Sequence, residues 1–119
     1  MSARVIRPSD VEMTHRGGPP GLGRVGRAIS SDDSPSMSAG FAEFDQCSIA
    51  WQVHYDEIVY VIEGIFRLVI EKDELIAHPG DIMWIPKGTR LSYEGDKAKL
   101  FYVVYPGNWR EIKAAEDAK

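Results

Sequence analysis

From residue 37 onward the chain alternates between short runs rich in Val, Ile, Tyr, Phe and Trp and brief clusters of Gly, Pro, Asp and Lys. The apolar runs fall at 41–44, 48–55, 57–63, 66–70, 75–77, 81–85, 90–93 and 100–105. Runs of this length and composition read as strands, because β-branched and aromatic side chains fit a pleated, half-buried surface. The breaks are Glu63-Gly64, Lys72-Asp73, His78-Pro79-Gly80-Asp81, Pro86-Lys87-Gly88 and Glu94-Gly95-Asp96-Lys97, all rich in residues that tight turns demand. A turn roughly every 8 to 12 residues predicts successive antiparallel hairpins and an all-β sandwich or barrel.

The first third reads differently. Gly17-Gly18-Pro19-Pro20-Gly21-Leu22-Gly23 can hardly hold a helix, since Gly is too free and Pro lacks a donor. Residues 1–25 are therefore expected as an extended Gly/Pro-rich arm, packed over a sheet edge or exchanged with a partner, and 26–119 as one domain. Residues 30–36 form a polar loop. Only the C-terminus looks helical: Asn108-Trp109-Arg110-Glu111 offers a cap residue with a Glu three positions later, before Ala-rich sequence. So short a helix needs tertiary support, and Trp109 or Ile112 is the expected docking residue.

Composition narrows the function classes. A chain of 119 residues is one domain's worth. With 14 basic and 18 acidic residues and a net charge of -4, it lacks the basic surface that tracks phosphates, so nucleic acid is not an expected partner. The one cysteine, Cys47, excludes an internal disulfide and reads as a small buried side chain. No window approaches a membrane span, and Met1 to Arg7 has no apolar core of a secretory signal, so no membrane partner is expected and the expected compartment is the cytoplasm. No G-x-x-x-x-G-K-S/T phosphate loop occurs.

Two spaced patterns are more informative. Glu57 is followed after six residues by Gly64, and Gly80 after five residues by Pro86-Lys87-Gly88. This pair resembles the two signature motifs of the cupin superfamily, which implies a double-sheet jelly-roll β-barrel, here with a short C-terminal helix. Trp51, Tyr55-Asp56-Glu57-Ile58, Glu63-Gly64, Ile76-Ala77, Gly80-Asp81, Ile85-Pro86-Lys87-Gly88, Tyr102-Val103, Pro106 and Asn108-Trp109 resemble more closely the cupin domain of the EutQ family of ethanolamine-utilisation proteins. The resemblance implies a place in a metabolosome operon, and an acetate kinase activity has been ascribed to the family. The chain reads as lacking the region that precedes the cupin domain in longer members. With no phosphate loop either, the reading does not rest on a kinase role.

Metal-dependent cupins resemble one another in surrounding an ion with two His in an H-x-H pair, a Glu and a third His. Glu57 is present here, Leu91 stands at the third-His position, and the H-x-H positions fall on Trp51 and Val53 or on Ala50 and Gln52. His54 lies near, and its direction is a question of strand register. If Ile49, Trp51 and Val53 face the barrel, His54 faces away; if Gln52 and His54 face it, they converge with Glu57.

Glu57 is the expected catalytic residue, because a carboxyl in a small apolar barrel is desolvated and its pKa rises toward the acid-base range. His54, Gln52, Tyr60, Trp84 and Tyr102 are the expected ligand-binding residues, with the phenols of Tyr60 and Tyr102 offering an apolar wall and a polar tip. No cofactor is predicted; a divalent metal on His54 and Glu57, serving a lyase, isomerase or oxygenase, is the alternative. The expected partners are a small polar metabolite and a second copy of the chain. A non-catalytic assembly protein is the third alternative.

Overall fold

The structure, a computed structural model, describes residues 3–118. A single 3-10 turn, Pro8–Asp10, precedes eight strands and one helix: β1 (Thr14–Gly17), β2 (Leu22–Ile29), β3 (Ser38–Asp45), β4 (Ser48–Gln52), β5 (Asp56–Ile70), β6 (Asp73–Ala77), β7 (Ile82–Ile85), β8 (Arg90–Tyr105) and α1 (Trp109–Asp117). All pairings are antiparallel, in the order β1-β2-β3-β8-β5-β6, with β4 added to β8 and β7 to β5. No helix of the described residues is long and apolar enough to cross a membrane.

The two longest strands make the double layer. The breaks at Glu63-Gly64 and at 94–97, read from sequence as hairpin turns, are instead bulges inside β5 and β8. Their ladder continues through both, with Ile65 opposite Asp96 and Phe66 opposite Gly95, while the register shifts around Glu63. Bulges bend a strand and sharpen its twist. The first half of β5 and the second half of β8 thus join β3 and β7 in one layer, and their other halves join β4 and β6 in the second. Gly64 takes φ +74° and Lys97 +49° at this corner. Arg67 spans it, binding Asp96 through both terminal nitrogens. The breaks at 78–81 and 86–89 are true turns, closed by Asp81 N–H to His78 O at 2.9 Å and Thr89 N–H to Pro86 O at 3.2 Å.

Alternation sorts the side chains. Along β5, Glu57, Val59 and Val61 are buried while Ile58, Tyr60 and Ile62 are exposed; along β3, Ala42 and Phe44 are buried. The layers meet in a core centred on Val53, Val59, Val61, Phe66, Leu68 and Ile85. Phe44 on one layer stacks against Phe66 and Tyr93 on the other, at centroid distances of 5.9 and 5.5 Å. β2 pairs with β3 from Leu22 to Ile29 and so runs across the boundary drawn at residue 25. Trp109 packs α1 onto the core, while Ile112 stays 37% exposed.

Candidate functional site

Between the layers, at the end covered by α1, lies a cavity of about 260 Å³. Its walls come from β1 to β5, β8, the loop after β2 and the start of α1. One carboxylate lines it, that of Glu57, in a residue only 6% exposed. Strand parity puts it there: Glu57 is the first member of the inward row continued by Val59 and Val61. A single acidic residue in an otherwise apolar row is a position that folding alone does not favour.

The Tyr93 hydroxyl donates to Glu57 Oε1 at 2.9 Å. Burial pushes the Glu57 carboxyl up to about 7, and the Tyr93 hydrogen bond draws it partly back. Burial and the nearby Glu57 charge hold Tyr93 far above the usual phenol range and take Tyr55 up to about 12. Trp51 Nε1–H donates to the Tyr55 hydroxyl at 3.1 Å. Tyr102, also raised by burial, lies across Gly40, where a Cβ would come within 2.6 Å of its hydroxyl oxygen. A carboxyl that titrates near neutrality beside phenols that stay protonated can release or take up one proton with a molecule in the cavity.

Removing the Tyr93 hydroxyl tests that coupling. Tyr93→Phe deletes the bond that stabilises the carboxylate, so Glu57 should titrate higher than in the wild type, read from the pH dependence of its infrared carboxyl stretch. An unchanged or lower midpoint would contradict the geometry.

The structure brings Glu57 and Tyr102 to the cavity and sets the other named residues outside it. The parity question at β4 resolves with Ile49 and Trp51 lining the cavity and Val53 fully buried. Gln52 points to the far end, where its amide donates to Gly88 O at 3.3 Å. The His54 ring stacks on Trp109 at 5.7 Å and meets Trp51 edge-on at 5.5 Å. Tyr60 and Trp84 are 44% and 58% exposed on the outer face, Tyr60 because it is one residue out of phase with Val59 and Val61, and Trp84 because it pairs with outward Ile58.

These donors do not fit a divalent ion held by His54 and Glu57. His54 packs against two indoles, and Glu57 meets a phenol. Leu91, at the family's third-His position, is core, and among the described residues no three His, Cys, Asp or Glu side chains gather to hold a metal.

Sequence reading did not give Tyr55, Tyr93, Trp109 or the arginines Arg16, Arg27 and Arg110 a role at the site. For Tyr93 the signal was parity with Leu91 on one strand. Arg16 fell in the stretch expected as an extended arm and Arg27 just after it, and neither had a local signal that placed it at the site.

A family model described as Ethanolamine utilisation protein EutQ matches residues 6–111. The acetate kinase EutQ of Escherichia coli is 36% identical over 85 residues, which are 71% of this chain and 36% of that protein. The chain thus spans about a third of that relative's length. The solved structure of the Clostridium difficile EutQ protein superposes with a TM-score of 0.79 at 26% identity, covering 88% of both chains. A cupin-2 domain protein from Shewanella frigidimarina, at 16% identity and a TM-score of 0.52 over 56% of this chain and 68% of its own, shares the fold.

Proposed function

The chain belongs to the EutQ family of ethanolamine-utilisation proteins, a cupin family, and on that footing we propose that it is a cytoplasmic small-molecule-binding unit. It holds a small polar metabolite in the cavity between its layers and exchanges a proton with it through Glu57. The observation that carries this reading is the carboxyl itself: 6% exposed, lining a cavity, and raised to about 7. A cationic neighbour would draw a buried carboxyl down, whereas among the described residues the side-chain hydrogen-bonding partner of Glu57 is a neutral phenol. The cavity suits a ligand of a few to about a dozen heavy atoms.

A thermal-shift screen of small acids, amines and phosphorylated metabolites tests it. At least one class should raise the melting temperature of the wild type, with the shift reduced in Glu57→Gln. A flat response across all three classes would overturn the reading. The name acetate kinase belongs to the longer relatives. For this chain the proposal requires binding and proton exchange, and no nucleotide.

The outer face supports a second, compatible proposal, that the chain forms a homodimer. Ile58, Tyr60, Ile82 and Trp84 stand exposed together across β5 and β7, an apolar patch of the kind that interfaces cover. The wild type should scatter light as a dimer and Trp84→Glu as a monomer. A monomeric wild type would refute this arrangement.

A further inference from the structure

The chain is acidic overall, with a net charge of -4, yet three arginines line the cavity that holds Glu57. Arg16 comes from β1, Arg27 from β2 and Arg110 from α1. Of the five other arginines, three have carboxylate partners, Arg4 with Asp33, Arg24 with Glu43 and Arg67 with Asp96, while Arg7 and Arg90 stand singly and away from the cavity. Arg24 and Arg27 make the contrast sharp, since they sit three apart on one strand and face opposite sides. Arg24 is matched across the sheet by Glu43, whereas Arg27 is opposite Gly40 and beside the Tyr102 phenol. Among the described residues no carboxylate forms an ion pair with Arg16, Arg27 or Arg110, and Arg110 rests its guanidinium over the Trp109 ring at 4.3 Å.

Unpaired like charges held together oppose folding, and these are near enough to feel one another. Burial first, then the charges of Arg27 and Arg16, pull Arg110 below its ordinary value. The sole lining carboxylate, Glu57, already has Tyr93 as its partner. We propose that Arg16, Arg27 and Arg110 form a subsite for the oxyanion head, carboxylate or phosphate, of a small organic anion whose remainder lies toward Glu57 and Tyr102. Guanidinium forks match both heads with paired N–H donors. This assignment rests on the cavity being the ligand site and adds its chemistry: the occupant is an anion, and ethanolamine, a cation at neutral pH, is repelled from the mouth.

Calorimetric titration of the full chain at pH 7 and constant ionic strength decides it, with succinate, inorganic phosphate and ethanolamine as separate probes against wild type, Arg27→Gln, Arg110→Gln and Arg27→Lys. Succinate or phosphate should bind one to one, which of them binds distinguishing the carboxylate from the phosphate head. Both glutamine variants should bind at least tenfold more weakly, with Arg27→Lys intermediate. All three arginines are outside the core, and melting curves of the variants report that each is folded. Anion binding of equal strength in the glutamine variants would overturn the subsite. Ethanolamine binding with no anion binding would overturn the charge assignment and leave the cavity reading standing. No binding by any probe would overturn the subsite, while the broader melting screen judges the cavity separately.

Discussion

Glu57→Gln should remove about 3 kcal/mol of pH dependence from the folding stability between pH 4.5 and pH 7. The carboxyl titrates near 4.5 when unfolded and at about 7 when folded. Between those values the native state keeps a proton that the unfolded chain has lost, so this group's contribution falls as pH rises. It is complete below pH 4.5 and gone above pH 7. The neutral amide has no such proton, and it can still accept from Tyr93 at the same position. Urea unfolding across that range should show the wild type losing stability where the variant stays level, with the variant the more stable of the two at pH 8. Parallel profiles would mean that Glu57 is not desolvated as described.

The second large effect belongs to the corner of the sandwich. Gly64→Ala should cost about 3 kcal/mol or more, and Gly88→Ala about 1–2 kcal/mol, although both glycines have positive φ, +74° and +95°. The difference is space. A Cβ at Gly64 would overlap the Lys97 carbonyl oxygen, which is backbone in the paired strand, whereas one at Gly88 meets nothing within 4 Å. Relief of the first clash requires β5 and β8 to separate where they bend together. Chemical denaturation at one pH compares the two variants, and equal costs would contradict the account of Gly64 as the bend.

That comparison also explains how much of the molecule the sequence made legible. Strand composition and the spacing from Glu57 to Gly64 and from Gly80 to Gly88 were enough for an all-β cupin architecture with a short terminal helix. Gly64 was recognised as necessary for the wrong local reason, since a bulge and a hairpin turn both demand a residue with positive φ. Only the pairing of Ile65 with Asp96, a contact between distant positions, separates the two. Local pattern cannot contain such a pairing.

The site was legible in one row and hidden in others. The period of two places Glu57 with Val59 and Val61 once that row is known to face inward, and the same rule carries Tyr60 outside. For β4 the parity was left open because its mixed side chains allow either face. The structure turns Trp51 in and packs His54 against Trp109, a residue 55 positions later that no local signal brings near. Arg16 lay in sequence whose glycines read as an arm, and Arg27 just beyond it, where no local signal points to a shared cavity. The glycines of β2 serve close packing: at Gly26 a Cβ would meet Met13 Sδ and Val11 Cγ1, each at 2.6 Å.

The central claim, a protonatable carboxyl facing an anion-binding cavity, is tested most directly by following the side-chain carboxyl carbon of Glu57 by NMR, titrating pH with and without succinate. The account predicts a midpoint near pH 7 that moves higher when succinate is present, because a bound negative charge disfavours the carboxylate. A midpoint near 4.5, or one near 7 that ignores succinate and phosphate alike, would contradict it.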